Sequence, residues 1–268
     1  MPKNKESMPK REKLVFFQSV KSLKSDPGRI GKILLFDALF VISFYALWKL
    51  FFYFNSGFTL QRTLGTGIIF LILSLIYYMI ILFIYSFFKF CILDFVGSIG
   101  LQPRFSLKGF LDFCLLNIVI LGVIIGLMLA INFVLYASKP QYKIYVFAIL
   151  GVPFLIFSYL FTNFSQQSFY SGLTIKKSIK KGIKFSVTRN GGIILTTLVL
   201  TLIFWLLIYL PAYTFNLLAS SDFQLYLAGY SLYAKAMIIL SYIAAYLIIL
   251  INRVSFYLIT KNSDALES

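Results

Sequence analysis

Six stretches of the chain are apolar for long enough to cross a bilayer, and this limits the fold more than any other feature. They run over 33–54, 66–88, 113–137, 142–162, 192–215 and 234–258, each long enough for the roughly 20 residues a spanning helix needs. Inside hydrocarbon every backbone N–H and C=O must find a partner within its own segment, so runs of this length form α-helices. With 60% hydrophobic and only 13% charged residues among 268, the chain has more apolar surface than a water-soluble core of this size hides. The predicted fold class is all-α, a polytopic membrane bundle of six transmembrane helices. The first run is too long for the core of a signal peptide and ends in "YFNSGF" rather than a small-x-small cleavage site, so it is expected to stay as the first membrane helix. Between the third and fourth runs lies only "SKPQYK", a tight hairpin that makes those helices antiparallel neighbours.

The charges orient this bundle. Of the 25 Lys and Arg residues, 20 fall in segments 1–32, 89–112, 163–191 and 252–268, while Lys49, Arg62, Lys139, Lys143 and Lys235 lie on the other side. Basic residues near span ends stay on the cytoplasmic side, which predicts a multi-pass protein of the cell (plasma) membrane with both termini cytoplasmic. The organisation expected is a basic cytoplasmic segment over 1–32 with an amphipathic helix, a six-helix transmembrane domain over 33–260, and a short cytoplasmic tail over 261–268. A net charge of +16 on a soluble protein would point to nucleic acid. On this chain the partner expected is the bilayer, through anionic inner-leaflet headgroups, and no nucleic acid.

The densest basic stretch, "LTIKKSIKKGIKFSVTRNGG" (173–192), is amphipathic. At 100° per residue, Ile175, Ser178, Ile179, Gly182, Ile183, Phe185 and Ser186 share one side, and Lys176, Lys177, Lys180, Lys181 and Lys184 the other. This predicts a helix on the membrane surface, with the isoleucines and Phe185 toward acyl chains and the five lysines and Arg189 as candidate headgroup contacts. A role limited to fixing orientation during insertion is the simpler alternative.

The same pattern recurs. Offset by 160 residues, Lys21, Lys24, Arg29, Gly31, Ile33 and Leu35 meet Lys181, Lys184, Arg189, Gly191, Ile193 and Leu195. A shorter version, "FSLKGFLDF" (105–113), precedes the third span, and the pairs of spans close with Ser86-Phe87-Phe88, Ser168-Phe169-Tyr170 and Ser255-Phe256-Tyr257. Three parallel helical-hairpin repeats are expected, each introduced by a basic amphipathic surface helix, with Gly28, Gly31, Gly191 and Gly192 at the bends from surface to span. Hairpins introduced by segments such as Ser106-Leu107-Lys108 and Thr174-Ile175-Lys176-Lys177-Ser178-Ile179 resemble prokaryotic six-helix membrane proteins that include the membrane domain of glycerophosphodiester phosphodiesterases. The soluble phosphodiesterase domain is missing, so the resemblance implies a stand-alone membrane module with no catalytic residues to carry over.

Within the spans, Gly122, Gly126 and Ala130 form a small-residue stripe suited to close helix packing, the alternative being a face that lines a narrow pore. Gly151 and Pro153 should loosen one turn of span 4. Asp37 and Arg253 lie near the basic ends of spans 1 and 6 and are a candidate intramembrane pair, or else reach the headgroups separately. Cys91 and Cys114 read as small apolar side chains, and Asp94 and Asp112 have nothing in the sequence to orient them. No histidine is present, and no metalloprotease, nucleophile-elbow or phosphate-loop pattern occurs. The expected function is that of a non-catalytic, lipid-interacting scaffold or accessory subunit, without cofactor or metal and with either a membrane protein partner or further copies of itself in a homo-oligomer. The alternative is a small-solute or lipid transporter.

Overall fold

A computed structural model of the chain describes residues 18–21, 23–24, 27–56, 64–97, 106–188, 197, 200–201, 206 and 223–267. The described residues form helices and short links, without strands. The long helices are α1 (Pro27–Ser56), α2 (Leu64–Gly97), α3 (Leu107–Ala137), α4 (Pro140–Tyr170), α5 (Ile175–Thr188) and α6 (Phe223–Glu267). Five of them, all but α5, are long and apolar enough to cross a membrane. The sixth run, 192–215, lies mostly outside the described residues. In the membrane helices apolar side chains face outward along the central turns, as Leu75 (62% exposed) and Ile125 (46%) do, a surface that water would penalise and lipid accepts.

The helices overrun their apolar windows at the basic end. Helix α2 continues to Gly97, nine residues past the predicted stop at 88, and its 34 residues span about 51 Å at 1.5 Å per residue. The hydrocarbon is only about 30 Å thick. The "FSLKGFLDF" segment is correspondingly no separate surface helix: Ser106 caps α3, its Oγ accepting the Gly109 N–H at 3.1 Å, and the helix runs unbroken from Leu107 to Ala137. Gly28 and Gly31 likewise sit inside the opening turns of α1, which starts at Pro27, so no bend occurs there. The predicted boundary between 32 and 33 thus falls within a helix. Gly191 and Gly192 lie outside the described residues.

The chain divides into two compact units. The first, Asp26–Val187, holds α1 to α5, with α2 touching α1, α3 and α4. Aromatic rings join α1 to α2 along their length, from Phe36 against Phe88 and Phe95 to Phe51 stacked on Tyr77 at 4.2 Å. The core gathers at the basic end, where Phe90 and Leu93 of α2, Phe110, Phe113, Leu116 and Ile120 of α3 and Phe161 of α4 are buried together. Cys91 is buried and Cys114 half-buried, both as free thiols. Helix α4 is irregular where the sequence predicts it: Phe147–Gly151 form a π-helical turn just before Pro153, which cannot donate a backbone hydrogen bond. The small stripe of α3 finds no neighbour among the described residues. Gly122, Gly126 and Ala130 are exposed, and a Cβ on either glycine would meet nothing within 4 Å, so the predicted packing within the chain is absent among the described residues.

The second unit comprises Met1–Ser25 and Thr188–Ser268. In it Ser255 of α6 donates to the Ile251 carbonyl at 2.9 Å, while its oxygen lies 3.0 Å from the Ser19 hydroxyl. Asn252 donates to Thr197 Oγ1 at 2.8 Å. Asn252, Ser255 and Thr260 are all buried, so this unit too concentrates its polar packing near the basic end of its span.

A buried polar layer beneath a basic helix

The candidate site is built where α4 ends. Four consecutive polar residues, Ser165, Gln166, Gln167 and Ser168, are each at most 1% exposed. Successive residues of a helix point about 100° apart, so α4 is enclosed on every side at this turn. Gln166 is the hub: its Nε2 donates to Asn117 Oδ1 at 2.8 Å and Tyr85 Oη at 3.1 Å. Asn117 Nδ2 in turn donates to Ser86 Oγ at 2.9 Å, and Ser86 donates to the Leu82 carbonyl at 2.7 Å. One relay therefore joins α2, α3 and α4. The Ser165 and Ser168 hydroxyls, Gln166 Oε1 and Gln167 Nε2 are buried without a hydrogen-bond partner among the described residues, where an unmade bond costs about 1–3 kcal/mol.

Two ionisable side chains belong to this layer. Lys89 Nζ donates to Asn163 Oδ1 at 3.0 Å, and Asn163 Nδ2 donates to the Tyr159 carbonyl. Asp94, only 4% exposed, accepts a hydrogen bond from the Tyr170 hydroxyl. The apolar window of span 2 ends before Lys89 and offers Asp94 no partner; α2 continues through both, and Tyr170 from α4 orients Asp94. The usable signal was the apolar setting "SFFKFCILDF", in which two isolated charges interrupt an otherwise uniform run.

The reversal into α5 depends on Gly172. Its φ of 97° lies in the left-handed region open to glycine. Its N–H bonds to the Phe169 carbonyl at 2.9 Å while that of Leu173 bonds to the Ser168 carbonyl at 3.3 Å, the paired bonds of a Schellman cap. Residues 171–174 then fold α5 back against α4. Ser178, Gly182 and Ser186, four residues apart, are buried and let the helices meet closely. A Cβ on Gly182 would lie 2.0 Å from Ser165 Oγ and 3.1 Å from the Ser165 backbone nitrogen. Phe185 packs edge-on against Phe164 at 5.5 Å, and Ile175 and Ile179 lie on the aromatic core.

These contacts correct the predicted surface helix. Its Phe185, Ile175 and Ile179 pack on protein rather than turn toward acyl chains, whereas Ile183 (44%) and Val187 (66%) are exposed. The lysines do face outward. Lys176, Lys177, Lys180 and Lys184 are exposed, and Lys181 is half-buried with its ammonium 5.2 Å from the Phe185 ring centre. Arg189 lies outside the described residues. Asp37 and Arg253 are each half-buried and belong to different compact units. Among the described residues no three His, Cys, Asp or Glu side chains come together.

No protein-family model, curated protein or solved structure matches the chain. Geometry and chemistry alone carry the functional argument.

Proposed function

We propose that the chain is a non-catalytic, lipid-interacting membrane scaffold or accessory subunit, related to the six-helix prokaryotic membrane proteins that its sequence pattern resembles. The observation that carries this reading is α5. Its small and aromatic side is fastened to α4, and its lysines are turned outward beside a packed membrane bundle. A lysine array on a rigid support suits phosphate headgroups, each lysine near an anionic leaflet contributing about 1 kcal/mol.

In this reading the fold has six spans in three quasi-equivalent hairpins, with the basic ends cytoplasmic. Support comes from the repeated triplets, since Ser86, Ser168 and Ser255 are all buried. Next to each lies a basic segment: the start of α3 near Ser86, α5 near Ser168, and the helix around Ser19 beside Ser255. Topology is tested by single cysteines at exposed positions. A cysteine at Lys177 should resist an impermeant maleimide in intact cells and one at Lys139 should react, and the reverse pattern would invert the arrangement. Ser178, at 0% exposure, would be silent on either side.

The lipid reading is tested by stability. In nanodiscs of about one-third phosphatidylglycerol the chain should melt several degrees higher than in pure phosphatidylcholine, because a ligand that binds only the folded state stabilises it. Equal melting in both would reject a stabilising lipid contact. The relay through Gln166, with its unpartnered buried atoms, favours one second reading, a small-solute or lipid transporter. Dithionite bleaching of fluorescent inner-leaflet lipid in proteoliposomes would favour that reading over a scaffold.

A further inference from the structure

The docked position of α5 changes which of its residues meet a bilayer. At 100° per residue Ile183, Lys176, Val187, Lys180 and Lys184 fall within an arc of about 100°, and all five are exposed. Helix α5 contains no acidic residue. Its opposite side is occupied by Ser165 and Phe164 of α4, so it cannot roll Phe185 into lipid without leaving the bundle. We infer that this strip is a shallow insertion edge for an anionic phospholipid surface: Ile183 and Val187 enter the acyl boundary while Lys176, which projects between them, and Lys180 and Lys184, on the Val187 side, hold headgroup phosphates. The inference rests on the lipid-interacting reading and names its contact site. Two small apolar side chains anchor little by themselves, so charge must bring them to the surface, and insertion follows anionic lipid and salt. A fixed backbone spares the ordering that a free amphipathic peptide undergoes on binding.

The test uses the full chain, with Cys91 and Cys114 changed to alanine and single cysteines placed in turn at Ile183, Val187 and Lys177 and labelled with bimane. Nanodiscs carry acyl chains brominated near the headgroup, with or without one-third phosphatidylglycerol. Bimane at Ile183 and Val187 should be quenched at least twofold more in anionic than in neutral discs, with Lys177 as the weakly quenched reference. In the Val187-labelled protein, 0.5 M NaCl or the triple change Lys176→Gln, Lys180→Gln, Lys184→Gln should remove the difference. Equal quenching at all three positions, or quenching indifferent to lipid charge, overturns the strip. If anionic lipid still raises the melting temperature, only this site is rejected and the lipid reading stands. If quenching follows lipid charge while melting does not, the strip stands and the stabilising interaction falls. The melting temperature of each labelled variant shows that the bundle has stayed folded.

Discussion

Leucine in place of Gly182 should separate α5 from α4 and cost about 3 kcal/mol, the upper end for overpacking a filled contact. The reason is local. Even the first carbon of a side chain at 182 would lie 2.0 Å from Ser165 Oγ, with Ser165 Cβ and backbone nitrogen both at 3.1 Å. Rotating the Ser165 hydroxyl relieves the first clash but neither of the others. Helix α5 must therefore shift, loosening Phe185 from Phe164 and Ile175 and Ile179 from the core. Alanine is the graded control. It gains about 1 kcal/mol of helix propensity and meets the same three atoms, so its net loss should be smaller, and Ser165→Gly in the same chain should recover stability by removing two of them. Reversible unfolding by SDS in mixed micelles measures all three variants. A neutral Gly182→Leu would mean that the α4–α5 contact is not made.

The second large effect is expected in the relay between α2, α3 and α4. Gln166→Leu keeps most of the volume but takes the Gln166 donor from buried Asn117 Oδ1 and half-buried Tyr85 Oη, a loss of about 1–3 kcal/mol. Asn117→Leu withdraws the acceptor from Gln166 Nε2 and the donor from Ser86, with a loss of similar size. The double change Asn117→Leu, Gln166→Leu removes both ends of the bond at once, and apolar replacement of a whole buried pair is often close to neutral. Its loss should fall short of the sum of the singles by about 1 kcal/mol or more, the coupling that a double-mutant cycle isolates. Gln166 Oε1 has no hydrogen-bond partner among the described residues, so leucine there also removes an existing penalty, which keeps the single loss from being larger. Strictly additive losses would show that the relay does not hold the three helices together.

Hydropathy alone makes this a helical membrane protein, because uniform runs of apolar residues have no other solution in lipid. Local sequence also determines the irregular turn before Pro153, where a missing N–H acts within one helix, and the outward lysines of α5, which follow from periodicity. The remaining features depend on packing between helices. Hydropathy windows stop at the first charge or polar cluster, so they end α2 at 88 and α4 at 162 and assign Lys89, Asp94 and Ser165–Ser168 to the flanks. The helices continue, and these residues become the interior. Periodicity divided α5 into two sides but could not say what would cover the apolar one. The answer came from Gly172, which folds the chain back, and from the fit of Gly182 against Ser165, two residues 17 positions apart whose contact no local rule encodes. For Gly122 and Gly126 the limit runs the other way: a stripe of small residues permits close approach, but only another surface in the right place supplies it.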